Sequence, residues 1–392
     1  MRTGREIDHL TVQVCIAYDC LFPWTVGGAE RWYRALAERL VAEGHDVTYL
    51  TRVQWEPGEE PRISGVRVVA VSRADALYDE AGRRAIGPPL RFGAGVLRHL
   101  LRHRRSYDAV HLCSFPFFSL LAARVALVGM GVPIAVDWFE VWSRGYWEEY
   151  LGALGGRIGH AVQRLCVLLT PRAFVFSALH ERRLRDEGLR GEVVRLRGLW
   201  GGDAADIPAT RPAADPPTVV FAGRHIPEKR AATIPAAIAV LPGVRARILG
   251  DGPERDAVRA EVARLGLGDR VEVPGFVDAG EVAEAMATAM CLLLPSVREG
   301  YGLVVVEAAR LGTPSVVVAA PDNAAVELVD DGVNGIVAPD GSPQALAAAI
   351  RAAAPLRAST AAWFARQARE LSVAGSLDAV LAAYRRVSST QS

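Results

Sequence analysis

Short β-branched runs alternate with amphipathic stretches along nearly all of this 392-residue chain, and that rhythm limits the fold more than any other feature. In the first half, strands are predicted at Val12–Tyr18, His45–Thr51, Val66–Ser72, Ala109–Ser114, Ile134–Trp138 and Ala173–Ser177. Between most of them lie helical patterns such as AERWYRALAERLVAEG, with apolar residues recurring on one face. Continuously apolar strands separated by helices make a parallel sheet covered on both sides. The segment Gly201–Pro217 breaks the rhythm: it has no periodicity and is rich in Gly, Pro, Ala and Asp, the composition of a linker. The rhythm then resumes with TVVFAG, RARILGDG, VEVPGFV, CLLLPS, PSVVVAA and GIVAP. The expectation is an α/β protein with two parallel-sheet domains, 10–205 and 206–368. A closing helix over 369–392 is expected to pack back toward the first domain. Two such units joined by one linker would set a cleft between two sets of strand C-terminal ends, where open α/β sheets bind ligands.

Composition excludes several classes. With 51% hydrophobic and 23% charged residues, the chain is globular and not disordered, collagen-like or coiled coil. The 45 Lys+Arg against 44 Asp+Glu leave +1, so no global basic field points to nucleic acid as a partner. Lys229 is the only lysine among those 45. Five scattered cysteines show no CxxC or metal spacing, which fits a reducing cytosol. The N-terminus lacks an apolar signal core. The greasiest stretch, Ser119–Val136, is interrupted by Arg124, Gly129, Gly131 and Pro133 and reads as helix, turn and strand rather than a span. A cytoplasmic protein is expected, with peripheral contact at the inner membrane face left open. The basic run Arg98–Arg105 and the amphipathic stretch Leu151–Leu169 are the segments that leave it so.

The most informative passage is PSVREGYGLVVVEAARLGTP, Pro295–Pro314. A strand ends at Ser296, Glu299 follows, Gly300 and Gly302 flank Tyr301, and a helix opens at about Leu303 with Glu307 one turn in. Glycines at such a turn let backbone N–H groups approach a ligand, and the helix N-terminus favours a phosphate. A wholly helical interval would set the two carboxylates ~12 Å apart. Glycosidase pairs stand roughly 5–9.5 Å apart, so two separate hydroxyl clamps fit better.

EGYGLVVVEAARLGTP resembles the donor-site motif of the retaining glycosyltransferases of family 4, which have the two-domain, Rossmann-like GT-B fold. Similarity continues through FAGRHIPEKR, LGDGPERD, VPGFV and DNAAVELVDDGVNGIVAP, an ordered series covering most of the second half. The resemblance implies that Glu299 contacts donor-sugar hydroxyls and that the backbone of Gly300, Tyr301, Gly302 and Leu303 lies against sugar and diphosphate. It further implies that Glu307 holds the ribose and that Arg224 and Lys229 carry the charge of the leaving diphosphate. Gly27 and Gly28, before a helix in FPWTVGGAERWY, resemble the family's glycine loop, and no GxGxxG fingerprint occurs there to favour a nicotinamide enzyme. The implied reaction moves a sugar from a nucleoside-diphosphate-sugar to an acceptor hydroxyl with retention, using no cofactor and no metal.

The first domain departs from the family pattern. In VDWFEVW, similar to relatives reading DWHEVW, Phe139 stands where a histidine is usual. Asp137 and Glu140 are then the nearest ionisable candidates for the donor sugar or acceptor hydroxyl. His111 resembles the first histidine of a paired motif whose second member is Cys113 here, and a satisfied strand histidine is the competing role. Trp24, Trp138, Phe139 and Trp142 join His111 as acceptor-side candidates, with core packing as the alternative for the aromatics. Three readings stay beside the transferase: a GT-B sugar-nucleotide epimerase, a sugar-phosphate synthase, or a weak homologue serving as donor-binding partner of another transferase.

Overall fold

A computed structural model describes residues 11–25, 27–75, 87–202 and 207–390. The expected domain start at residue 10, the boundary between 205 and 206 and most of the segment read for a signal sequence lie outside them. The chain divides into two compact units. One takes the chain to Phe176, His180–Leu196 and the segment from Leu377; the other takes Ser177–Leu179 and Arg197–Ser376.

The first unit runs β1 (Gln13–Ala17), α1 (Gly28–Ala42), β2 (Asp46–Arg52), β3 (Val66–Ser72), α2 (Gly87–His103), β4 (Ala109–Cys113), α3 (Phe118–Ala126), β5 (Ile134–Trp138), α4 (Arg144–Leu169), β6 (Arg172–Val175), α5 (Ala178–Asp186) and β7 (Glu192–Arg195). Its seven strands pair in parallel in the order β3-β2-β1-β4-β5-β6-β7. Every residue of β4 and β5 is buried, as their unbroken apolar character requires. Helices α2, α3 and α4 close one core with Phe92, Val96, Leu100, Leu120, Cys166 and Val167. At Gly95 a Cβ would stand 2.1 Å from the Val71 carbonyl oxygen, so only glycine lets α2 lie this close to β3. Strand β7, EVVR, was not expected; its outer residues are charged and exposed, and an edge strand of four residues carries little apolar signal.

The second unit runs β8 (Thr218–Ala222), α6 (Ile234–Ala239), β9 (Arg245–Leu249), α7 (Arg255–Arg264), β10 (Val271–Gly275), α8 (Ala279–Thr288), β11 (Cys291–Leu294), β12 (Arg298–Glu299), α9 (Leu303–Arg310), β13 (Ser315–Val318), β14 (Asp322–Asn323), β15 (Gly335–Ala338), α10 (Pro343–Ala353) and α11 (Arg357–Leu371). Its main sheet is parallel in the order β10-β9-β8-β11-β13-β15, and β12 pairs with β14. The described end of the expected linker is fastened to this unit: Arg357 donates to the Arg211 carbonyl, and the Ala214 N–H donates to the Thr288 carbonyl at 2.8 Å. The last helix, α12 (Val373–Thr390), contributes to the first unit from Leu377 onward. There Arg39 pairs with Asp378 at 3.0 Å and Arg172 donates to the Ala383 carbonyl at 2.9 Å.

In both units the strand order reverses beside the first strand, between β1 and β4 and between β8 and β11. Such switch points are where open α/β sheets receive ligands at the strand carboxyl ends. All five cysteines are buried and free. Burial pushes the Cys166 and Cys291 thiols up to about 12, so they pack as small hydrophobes. Among the described residues no helix is long and apolar enough to cross a membrane.

Candidate active site

The switch point of the second unit gathers most of the expected donor residues. Strand β8 ends at Ala222, and the chain turns through Gly223, Arg224 and His225 into a single 3₁₀ turn, Pro227–Lys229. Arg230 closes that turn in the left-handed region at φ 52°. Strand β11 ends alongside, and the Val297 N–H donates to the Glu228 carbonyl at 3.0 Å, binding the two loops together. The Lys229 ammonium consequently meets Glu299 Oε1 in an ion pair. The same carboxylate oxygen accepts from Ser296 Oγ at 2.8 Å. Lys229 keeps 20% of its side-chain exposure and Glu299 8%, so the pair is shielded yet reachable from solvent. Arg224 is exposed.

Behind the pair, buried Asn323 donates to the Ser296 and Val318 carbonyls at 3.1 and 2.8 Å and accepts from the Ala325 N–H at 3.1 Å. Sequence reasoning missed Ser296 and Asn323. A serine three residues before Glu299 and an asparagine opening DNAAVELV were the available signals, but their use depends on a pairing of β12 with β14 that no local pattern announces.

Gly302 ends the turn at φ 94°, where a Cβ would stand 2.6 Å from that of Ala325. Glycine is required on both counts. No side chain caps α9 at this residue; the Val305 N–H turns back to the Gly302 carbonyl at 2.9 Å, and the N-cap offers no side-chain acceptor to the earlier amides. Gly300 and Leu303 are half-buried beside it, and Glu307 is half-buried in the second turn. The Tyr301 side chain turns inward: its hydroxyl lies 2.5 Å from the Arg197 carbonyl oxygen, and burial raises its pKa well above the usual phenol range. Tyr301 can therefore offer a ligand its backbone but not its hydroxyl. Next to Arg224, His225 is fully buried, with the Leu249 backbone beside its ring and no side-chain hydrogen-bond partner among the described residues.

The first unit treats its candidates differently. Gly27 caps α1 in extended conformation and Gly28 is exposed with open space where a Cβ would stand, leaving the backbone approachable at the β1–β4 switch point. Two expectations are corrected by burial. Asp137 is fully buried: its Oδ2 accepts from Trp32 Nε1 at 2.7 Å, and its Oδ1 lies 2.9 Å from His111 Nε2. Trp138 is core, fully buried among the helices over β5. Both sit inside a strand whose two faces are covered, so neither presents a side chain to a substrate. His111 is mid-strand in β4 and its Nδ1 is 2.5 Å from the Tyr384 hydroxyl of α12, which makes it the satisfied histidine.

Phe139, just past β5, is half-buried and stacks on Phe176 with ring centroids 4.8 Å apart. Glu140 accepts from Trp142 Nε1 at 2.8 Å, and Trp142 packs against Trp147 and Tyr150. Trp24 meets Trp55 edge-on at 6.1 Å and stays half-exposed. Phe139, Glu140, Trp142 and Trp24 remain accessible as surface-facing candidates.

Two parallel sheets, each with a glycine-opened turn at its switch point, and a cation–carboxylate pair at one of them, define a two-domain GT-B sugar transferase. Residues 27–200 match the glycosyl transferase 4-like domain and residues 203–370 the glycosyl transferases group 1 domain. The chain belongs to the GT-B glycosyltransferases of family 4 type, and it is a glycosyltransferase of the hexosyltransferase kind. It is 27% identical over 351 residues to a glycogen synthase of Mycobacterium tuberculosis, covering 84% of this chain and 83% of that one. Sucrose-phosphate synthase from Thermosynechococcus elongatus superposes with a TM-score of 0.76 at 19% identity, covering 97% of this chain and 100% of that chain. HepE of Anabaena, in complex with UDP-glucose, superposes with a TM-score of 0.67 at 19% identity, covering 95% and 100%. At these identities the two structures speak for the fold.

Proposed function

We propose that this enzyme moves a sugar from a nucleoside-diphosphate-sugar to an acceptor hydroxyl with retention at the anomeric carbon, in the assembly of a glycan, glycolipid or glycosylated natural product. The observation that carries this reading is the Lys229–Glu299 pair, held by Ser296 at a switch point beside the uncapped start of α9. An ammonium has three N–H donors, so Lys229 can hold Glu299 and still face a phosphate. Lys229, the exposed Arg224 and the α9 amides would meet the charge that grows on the diphosphate as the glycosidic bond breaks. Glu299 is then left to bond donor-sugar hydroxyls, and Glu307 to hold the ribose.

The departing diphosphate oxygen takes the proton of the acceptor hydroxyl on the same face of the ring. The new C–O bond forms where the old one breaks, configuration is kept, and no carboxylate nucleophile is needed. Two cations supply the countercharge, so the reaction is proposed to run without a divalent metal. The HepE complex with UDP-glucose makes uridine donors the first to try.

The deciding experiment incubates the purified chain with UDP-glucose or GDP-mannose and a panel of hydroxyl acceptors, in buffer containing EDTA, and assigns the product linkage by NMR. An α-linked product from an α-linked donor is expected. A β-linked product would overturn retention, and transfer that stops with EDTA would overturn metal independence. Phe139 favours one second reading, a donor-binding partner of another transferase. It predicts that UDP or GDP shifts the melting temperature while no acceptor is ever glycosylated.

A further inference from the structure

The outward face of α4 is apolar. A helix on the surface of a globular domain normally turns its polar side to water. In α4 the buried side carries Gly156, Gln163, Cys166 and Val167. Opposite them, Leu154, Ile158, Ala161, Leu165 and Leu168 recur at i, i+4, i+7, i+11 and i+14, and the four large aliphatics are 73%, 59%, 46% and 49% exposed. From Leu154 to Leu168 the stripe runs about 21 Å. Val125 at the end of α3 and Val128 in the turn after it are also exposed, at 64% and 75%. Among the described residues, every exposed large hydrophobic of the first unit lies on α2, α3 with its following turn, or α4.

The charge on these helices is as one-sided as their apolar surface. Although the chain as a whole is balanced, α2 and α3 contain no Asp or Glu, and α4 has none after Glu149. Arg157 and Arg164 flank the stripe, and Arg124 is exposed at the end of α3. At the edges of this surface Glu148 is 2.9 Å from Arg144 and 4.0 Å from Arg157, and Glu187 is 2.7 Å from His160.

From this juxtaposition of an aliphatic stripe with flanking arginines, we propose that the outer face of α4, with the end of α3, docks on the surface of a bilayer containing anionic phospholipid. A helix lying in the interface plane buries its aliphatic face among acyl chains while arginines at its flank meet lipid phosphates. A second copy of the chain fits less well. A two-fold contact through this face would bring the Arg157 and Arg164 flanks of two copies together, whereas anionic lipid supplies negative charge along the whole stripe. This surface lies wholly within the first unit and does not depend on the donor reading.

The test is flotation of the full chain with vesicles of equimolar phosphatidylglycerol and phosphatidylcholine, and with phosphatidylcholine alone. The chain is expected to float with the anionic vesicles only, and less so as salt is raised. Arg157→Ala combined with Arg164→Ala should weaken partition roughly tenfold or more. Leu154→Ser, Ile158→Ser and Leu165→Ser together should do the same, with an unchanged melting temperature showing that the fold survives. Failure to float, equal binding to both vesicles, or binding that the variants leave untouched would each overturn the proposal. So would a dimer, seen by sedimentation without lipid, that the serine variant abolishes.

Discussion

Each unit holds one ionisable pair near its switch point, and the two pairs have opposite fates. In the first unit His111 and Asp137 have no exposure at all, and their remaining polar atoms are taken by Trp32 and the Tyr384 hydroxyl. In the second, Lys229 and Glu299 retain 20% and 8% exposure, with one shared oxygen and a free approach from solvent. A pair sealed in a sheet interior can only stabilise the arrangement that buries it, here the seating of α12 over β4. A pair at a loop mouth can be taken over by a ligand. The difference lies in position: Asp137 and His111 fall inside strands, whereas Lys229 and Glu299 follow strand ends.

The largest expected effect tests the sealed pair. Asp137→Ala leaves the Trp32 indole N–H and His111 Nε2 without an acceptor in a fully buried site. Stranding buried partners in this way costs about 3–5 kcal/mol. Urea unfolding monitored by tryptophan fluorescence should show a loss of that size. If stability barely changes while transfer collapses, Asp137 acts on substrate and the comparison fails.

Lys229→Ala should show the reverse. Removing a cation that meets developing leaving-group charge lowers turnover by ~10²-fold or more. Stability should fall by no more than about 1 kcal/mol, because a partly exposed ion pair contributes little. Initial rates with a saturating donor, alongside the same urea curves, check both halves. Near-normal turnover would remove Lys229 from the mechanism.

How far the sequence carried these distinctions depended on whether the signal was local. All twelve predicted strands were legible as short apolar runs and appear within about three residues of their expected ends, His45–Thr51 as Asp46–Arg52 and Ala173–Ser177 as Arg172–Val175. The donor turn was legible because Glu299, Gly300 and Gly302 sit within a few residues of one another and of the helix they open. Asp137 was misassigned although it lies in the predicted strand Ile134–Trp138, because only the packing of β5 between β4 and β6 shows that both faces of that strand are covered. The partners that settle its role lie 105 residues before it, at Trp32, and on the opposite strand. Tyr384 is 273 residues from His111, a distance at which no pattern along the chain can speak. The inverted face of α4 was half legible: its amphipathic period was plain, but which side meets the core is decided by α3 and α5.

The smallest effect separates two buried histidines. His111 lies between the Tyr384 hydroxyl, 2.5 Å from Nδ1, and Asp137 Oδ1, 2.9 Å from Nε2, whereas His225, beside the donor turn, has no side-chain hydrogen-bond partner among the described residues. Burial lowers the His225 pKa below its usual value, so the fold holds the ring neutral. The unfolded chain then binds more protons than the folded one between the lowered pKa and about 6.5, and stability contributed by this site is lost as pH falls through that window. His225→Leu removes the titrating group and leaves an aliphatic of similar bulk against Phe221, which packs 5.8 Å from the imidazole. At neutral pH its unfolding free energy should stay within about 1 kcal/mol of the parent, since the ring gives up no more than one backbone contact, at Leu249. Below pH 6.5 the variant should be the more stable of the two. A His111→Leu control should lose stability at every pH, because the Tyr384 hydroxyl loses its partner and Asp137 keeps only Trp32. Parallel urea curves at neutral and acidic pH decide it: equal losses in the two variants would mean that His225 is held by partners after all.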